Sequence, residues 1–190
     1  YTGEDTLSLH DALPIYEMST CFADLLSDRQ VTFIPGDAEQ LSFPSGQDLI
    51  VSCSALQWFV SPEQFFKRCN ALLSGHGYFA FSTFGKENLK EIAAVTGSGL
   101  HYYSLEELKK SLSMHYNIVT AGEERIRLTF ATPLDVLYHL KHTGVTAVCR
   151  QAWTKGDLQE FCDKYAKLFS CGNAVTLTYH PLYIIARKKP

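Results

Sequence analysis

Three short strings sit where a chain can do chemistry. Gly36-Asp37-Ala38-Glu39 follows the apolar run Val31–Ile34, Ser52-Cys53-Ser54-Ala55-Leu56-Gln57-Trp58 follows Asp48–Val51, and Leu72–Gly77 leads into Tyr78–Thr83. In an open α/β sheet, ligands bind beyond the carboxyl ends of the strands. A short carboxylate placed there can accept from an exocyclic amine while the next backbone N–H donates to a ring nitrogen. That pairing reads an adenine edge. Asp37 in this position also serves as an ordinary turn residue, and the string alone leaves both readings open. Cys53 has no partner base nearby in the sequence, so a nucleophilic thiol is not expected there.

The elements that must position these strings alternate. Ser19 can cap a short helix through Asp28. Val31–Ile34 reads as a strand stopped by Pro35-Gly36, and Asp48–Cys53 as a strand apolar enough to be buried on both faces. Ser61-Pro62-Glu63 opens a helix that runs to Leu73 and stops before Gly75-His76-Gly77; Tyr78–Phe84 is a third strand. This alternation predicts βαβ units and a parallel sheet. Further on, Glu87–Val95, Leu105–Leu112, Pro133–His142 and Thr154–Phe169 read as helices, with a capping box at Ser104 and Glu107. Tyr116–Thr120 and Arg125–Phe130 read as strands. Ala174–Ala186 is a long β-rich run in which Pro181 demands an edge, a bulge or a kink.

Composition bounds the answer. With 190 residues, 46% of them apolar, the chain is about one domain and neither disordered nor low-complexity. No run approaches a membrane span. Seventeen Lys and Arg against twenty Asp and Glu argue against a nucleic-acid binder. The charge is uneven: Tyr1–Gly85 carries three basic and ten acidic residues, Lys86–Pro190 fourteen basic and ten acidic. That asymmetry suits an acidic partner near the second half, and equally a dipolar surface without function. The six cysteines form no C-x-x-C pair and the histidines no zinc spacing, so no metal site is expected. Free thiols fit a reducing, cytoplasmic location. Within Tyr1–Ile15 the string LSLHDALPI resembles a translated sequencing adapter, so these residues are expected to carry no information about the fold.

The order of the remaining motifs is more specific. A strand, G-D-A-E, then D-L-I-V-S-x-x-x-L-Q-W, a helix, and F-x-F-S-T-F resemble the second half of a class I S-adenosylmethionine-dependent methyltransferase. Ala55–Phe59 (ALQWF), Phe81–Gly85 (FSTFG), Leu140–Val145 (LKHTGV), Trp153–Leu158 (WTKGDL) and Leu177–Lys188 (LTYHPLYIIARK) narrow the resemblance to the malonyl-[acyl-carrier protein] O-methyltransferases of biotin biosynthesis. It covers Tyr16 to Lys188. It implies an α/β, Rossmann-like sheet with strands ordered 3-2-1-4-5-7-6, with a cofactor side over residues 16–85 and a substrate side over 86–190. No G-x-G-x-x-G occurs in the sequence. The resemblance therefore implies a C-terminal part of the fold whose first two strands are missing. Such a chain should leave its fourth strand as an apolar edge, dissolve poorly and hold the cofactor weakly.

The reaction implied is methyl transfer from S-adenosyl-L-methionine to the free carboxylate of a malonyl group on acyl-carrier protein. A carboxylate is ionised at neutral pH, so no general base is required. By position, Asp37 would hold the adenine amino group with the Ala38 N–H on the ring. Ser52 and Cys53 would line the sulfur end, and Gln57 and Trp58 would border the carboxylate pocket. Tyr179 and His180 would reach the pocket mouth, or form a structural pair. Lys141 and Arg150 are the candidate cations for the malonyl carboxylate. Lys86, Lys90, Lys109, Lys110, Arg125, Arg127 and Lys155 would face the acidic carrier protein. Two other functions remain open on the residues alone: methylation of another small molecule, such as a quinone precursor, and a non-catalytic carrier-protein-binding module.

Overall fold

The computed structural model describes residues 31–143 and 153–190. The Ser19-capped helix, Arg150, Cys21 and Cys149 lie outside them. In chain order the elements are β1 (Gln47–Cys53), a 3-10 turn (Leu56–Trp58), α1 (Pro62–Leu72), β2 (Leu73–Phe84), α2 (Lys90–Thr96) and α3 (Leu105–Leu112). They continue with β3 (Tyr116–Glu123), β4 (Ile126–Phe130), α4 (Pro133–His142), α5 (Lys155–Phe169), β5 (Ser170–Cys171), β6 (Ala174–Tyr179) and β7 (Pro181–Lys188).

Two sheets result. The larger has the order β1-β2-β7-β3, with β1 parallel to β2 and β7 antiparallel to both of its neighbours. This is the 4-5-7-6 portion of the order that the motifs imply. The smaller sheet, β4-β6-β5, is antiparallel throughout. The long Ala174–Ala186 run serves both sheets. It leaves the small one after Tyr179, turns at His180, and enters the large one at Pro181, opposite Phe84. Pro181 is the first residue of its strand, where a missing N–H is tolerated.

One face of the large sheet is packed. Alternate residues of β2 and β7 (Phe79, Phe81, Leu182, Ile184) meet Phe65 and Phe66 of α1, with Tyr116 at the edge. Phe66 stacks on Phe81 at 5.6 Å between centroids, and Phe79 lies 5.9 Å from Tyr116. Burying each such side chain is worth roughly 1.5–3 kcal/mol. The Tyr116 hydroxyl keeps a partner, donating to the Phe66 carbonyl at 2.8 Å. A second core joins α2, α4 and α5 to β6 through Ile92, Val136, Leu140, Phe161, Tyr165 and Leu177.

Several expectations change. Val31–Ile34 is irregular rather than a strand, and Val31 and Ile34 are each more than two-fifths exposed. No strand among the described residues offers it a ladder. Asp48–Cys53 does form a strand, but it is not buried on both faces: Leu49 and Val51 are each 56% exposed while Ile50 and Ser52 face the core side. Among the described residues β1 is an edge strand, as the resemblance implies for the fourth strand. Gly75-His76-Gly77 is not a helix stop. The helix ends at Leu72, Leu73 is already extended, and the glycines lie within β2. Gly77 is required there for another reason, since a Cβ at this position would lie 2.8 Å from the Gln47 carbonyl across the β1–β2 pair. The capping boxes at Ser104/Glu107, Thr132/Asp135 and Thr154/Asp157 all form.

Candidate functional site

The turn after Gly36 is built from local hydrogen bonds. The Asp37 carbonyl accepts from Gln40 N and Leu41 N at 2.9 and 2.8 Å, closing one tight turn. Its carboxylate accepts from Glu39 N and from Gln40 Nε2, each at 2.8 Å. Both ends of the turn are tied to α1. The Glu39 carboxylate accepts from Val60 N and Ser61 N, each at 2.8 Å, and Arg68 donates to the Leu41 carbonyl. The Ser61 side chain makes no cap hydrogen bond, and Glu39 instead receives the backbone N–H of Ser61 itself. A carboxylate at a helix start satisfies free N–H groups and favours the positive end of the helix dipole. The Ala38 N–H makes no hydrogen bond among the described residues.

The end of β1 is shaped by a left-handed residue. Ser54, at φ 50°, donates its N–H to the Ser82 carbonyl at 3.0 Å and to Ser82 Oγ at 3.1 Å. The chain then folds into the 3-10 turn. Leu56 points into the core, and Gln57 points across to β2, where Thr83 Oγ1 donates to Gln57 Oε1 at 3.2 Å. Gln57 Nε2 donates back to the Ser54 carbonyl, so the amide is fixed at both ends. Ser52 is half-buried and Cys53 exposed on either side of the strand terminus.

Between these strand ends and the segment before α3 lies a small cavity of about 10 Å³, room for about one water molecule, that opens to solvent. Gln57, Thr83, Phe84, His101, Tyr102 and Tyr103 contribute to its wall. The Tyr102 hydroxyl accepts from Asn88 Nδ2 at 3.0 Å, and burial pushes its phenol above the ordinary value. His101 meets Tyr103 edge to face at 5.0 Å between centroids. None of His101, Tyr102, Tyr103 and Thr83 was expected from the motifs. Thr83 lies within the Phe81–Gly85 motif, and the sequence signal for the other three is the aromatic string His101-Tyr102-Tyr103 directly before the capping box at Ser104.

The other expected residues are placed as follows. Trp58 is half-buried on the 3-10 turn and does not line the cavity. Tyr179 stands behind the wall: its ring is 6.3 Å from Phe84 and its hydroxyl 3.0 Å from His139 Nε2. His180 is a buried brace. Its Nδ1 accepts from Glu87 N and its Nε2 lies against Glu123 Oε2, both at 3.1 Å. Because Nδ1 accepts, Nε2 carries the proton. Gly85 lies flat against this ring, and a Cβ there would come within 2.6 Å of it. Lys141 is exposed on α4, which packs in the second core, and is not brought to the cavity.

Of the basic set, four residues are engaged. Lys86 pairs with Glu107 at 2.7 Å, Lys90 with Glu87 at 3.0 Å and Lys109 with Glu106 at 2.9 Å, and Arg125 bridges Glu87 and Glu123. Lys110, Arg127 and Lys155 are exposed and make no ion pair among the described residues. Those residues hold no cluster of metal-ligating side chains, and no helix among them is long and apolar enough to cross a membrane.

Comparison with known proteins agrees with this architecture. Residues 14–81 match a family model described as a methyltransferase domain. A malonyl-[acyl-carrier protein] O-methyltransferase of Bacteroides thetaiotaomicron is 54% identical, with 97% of this chain aligned to 74% of the relative. One from Bacteroides helcogenes is 49% identical, over 97% of this chain and 72% of the relative. One from Bacteroides fragilis is 56% identical over 91% of this chain, which spans only 35% of that longer protein. Among solved structures, a Bacillus halodurans protein assigned as a methyltransferase superposes with a TM-score of 0.64 at 16% identity, covering 94% of this chain and 80% of its own. The [4+2]-cyclase SpnF superposes at 0.56 and 16% identity, covering 95% of this chain and 64% of its own. These structural likenesses establish the fold and nothing finer. Sequence identity sustained along nearly the whole chain does more: the chain belongs to the malonyl-[acyl-carrier protein] O-methyltransferase family of S-adenosylmethionine-dependent methyltransferases.

Proposed function

We propose that this chain methylates the free carboxylate of a malonyl group carried on acyl-carrier protein, giving the malonyl methyl ester in biotin biosynthesis. The observation that carries the proposal is 54% identity over 97% of the chain to a relative of that name.

The described residues fit the adenine end of the cofactor. Asp37 offers a carboxylate on a turn fixed from both sides, and the adjacent Ala38 N–H is uncommitted. Together they match the donor and acceptor of an adenine edge. Bound S-adenosylmethionine supplies a methyl group activated by its sulfonium. Asp37 and Ala38 hold the adenine, and the backbone around Ser52 and Cys53 borders the sulfur end. Gln57, fixed between Ser54 and Thr83, forms the floor next to the acceptor. The aromatic wall of Phe84, Tyr102 and Tyr103 excludes water, which strengthens electrostatic interactions within. When bound, the cofactor would supply a methyl group to the carboxylate oxygen, and the electron pair of the broken carbon–sulfur bond would stay on its sulfur. No proton moves. A carboxylate acceptor is already ionised at neutral pH and needs no general base.

Of the seven basic residues expected to face the carrier protein, Lys110, Arg127 and Lys155 make no ion pair among the described residues and would draw in an acidic partner. The proposal is tested with the protein expressed from the complete reading frame that encodes this sequence. Methyl transfer to malonyl-carrier protein is compared with transfer to acetyl-carrier protein and to a quinol precursor. Turnover on the malonyl form alone is expected. Turnover on the quinol without turnover on malonyl-carrier protein overturns the proposal.

A further inference from the structure

The cavity wall separates into polar atoms that are committed and polar atoms that are not. Gln57 bonds both Ser54 and Thr83, and Tyr102 accepts from Asn88, which in turn accepts from His180 N at 3.2 Å. His101, exposed at the rim of the cavity, and the half-buried Tyr103 make no hydrogen bond among the described residues, and their rings meet edge to face. His101 is the one wall residue that can carry positive charge; the other titratable side chains there are Tyr102 and Tyr103.

From this division we infer that His101, steadied by the Tyr103 ring, binds the carboxylate of the substrate and distinguishes a free acid from its ester. The inference rests on the proposed malonyl substrate and names the residue that selects it. An imidazole beside a carboxylate is drawn to its charged, doubly donating form. The alkylated product is a neutral ester, so the attraction disappears on turnover and favours release. Physical chemistry also explains why an imidazole serves better here than a guanidinium. Methyl transfer from a sulfonium to a carboxylate removes charge from both partners. A strong permanent cation would hold the ground-state carboxylate more tightly than the transition state and slow the reaction. A group with a small, reversible charge orients the acceptor at less cost. Its place on the segment between α2 and α3, rather than on Lys141 of α4, puts it on the cavity wall.

The test uses the protein from its complete reading frame and S-malonyl-N-acetylcysteamine as a small substrate. In His101→Ala the KM for this thioester should rise about ten- to hundredfold, the worth of one hydrogen bond to a charged group, with little change in kcat. His101→Asn, which retains a donor, should recover part of the loss. His101→Arg should lower KM and kcat together. A second reading uses histidine side-chain NMR. The malonyl thioester should move the His101 ring resonances toward those of imidazolium, and its methyl ester should not. If the thioester is methylated but leaves His101 unmoved, or if His101→Ala keeps the wild-type KM, the inference is overturned and the proposed function stands. If the thioester neither moves His101 nor is methylated, both fall.

Discussion

The Glu39 carboxylate receives the backbone N–H of Ser61 at 2.8 Å, and with it that of Val60, so the turn carrying Asp37 is fastened to the start of α1. The last residue of G-D-A-E thereby holds the second in place. Asp37 sits on a tight turn, and the bond from Glu39 fixes that turn.

This bond predicts a two-part effect. Glu39→Gln keeps the shape but weakens two charge-assisted bonds, and it should lower stability by about 1–2 kcal/mol in urea unfolding. Affinity for S-adenosylhomocysteine, measured by calorimetry, should fall in the same variant because the turn loosens. Unchanged stability and affinity would show that the helix start finds other acceptors.

The contact of Gly85 with His180 predicts coupling. Gly85→Ala places a methyl group 2.6 Å from the imidazole and should cost about 1–3 kcal/mol. In Gly85→Ala/His180→Ala the methyl group has room, so the double variant should be less destabilised than the sum of the single ones. If His180 is a brace, folded His180→Ala should retain its KM for the small malonyl thioester. A large rise in KM at full folding would instead place His180 at the substrate.

Cysteine accessibility gives a third test. Cys69 is 1% exposed and burial pushes its thiol up to about 12, whereas Cys53 and Cys171 are exposed. A maleimide should label Cys53 and Cys171 rapidly in the native protein and leave Cys69 untouched until unfolding. S-adenosylhomocysteine should slow labelling of Cys53 and not of Cys171. Equal rates with and without it would remove Cys53 from the sulfur end of the seat.

The acid limb of stability follows from Glu87 and Glu107. Arg125 and then Lys90 hold the Glu87 carboxyl at about 2, below its usual 4.5. Lys86 and the Ser104 cap do the same for Glu107. Carboxyls depressed in the folded state stabilise it fully above about 4.5, and that contribution is lost as pH falls toward 2. Both carboxylates reach solvent, with side chains 37% and 49% exposed, so salt should shrink the effect. Thermal melts should therefore hold steady from pH 7 to 5 and fall below 4.5, less steeply in Glu107→Gln and in high salt. A flat acid limb in the wild type would contradict these pairings.

Much of this architecture is legible in local sequence because local physics fixes it. Ser104 and Glu107 announce α3, Thr154 and Asp157 announce α5, and the β2–β7–β3 strands carry the alternation that buries Phe79, Phe81, Leu182 and Ile184 on one face. What escapes the sequence depends on partners far along the chain. Val31–Ile34 has strand composition, yet a strand needs a ladder, and none is offered among the described residues. Ser61 stands at the cap position without a side-chain cap bond, and its backbone N–H goes to Glu39, 22 residues earlier. The site divides the same way. Gln57 is visible from its place after a strand and Asp37 from the G-D-A-E string, whereas His101 is visible only once the segment before α3 is folded over Thr83.

The most direct measurement of the central claim is the position of the transferred group. With methyl-labelled S-adenosylmethionine and malonyl-carrier protein, mass spectrometry of the product should find the label as a base-labile ester on the terminal carboxylate. Release of labelled methanol on mild alkali should follow, with free malonate recovered. Label on carbon, on nitrogen or on a thiol, or none on the malonyl group at all, would contradict the account.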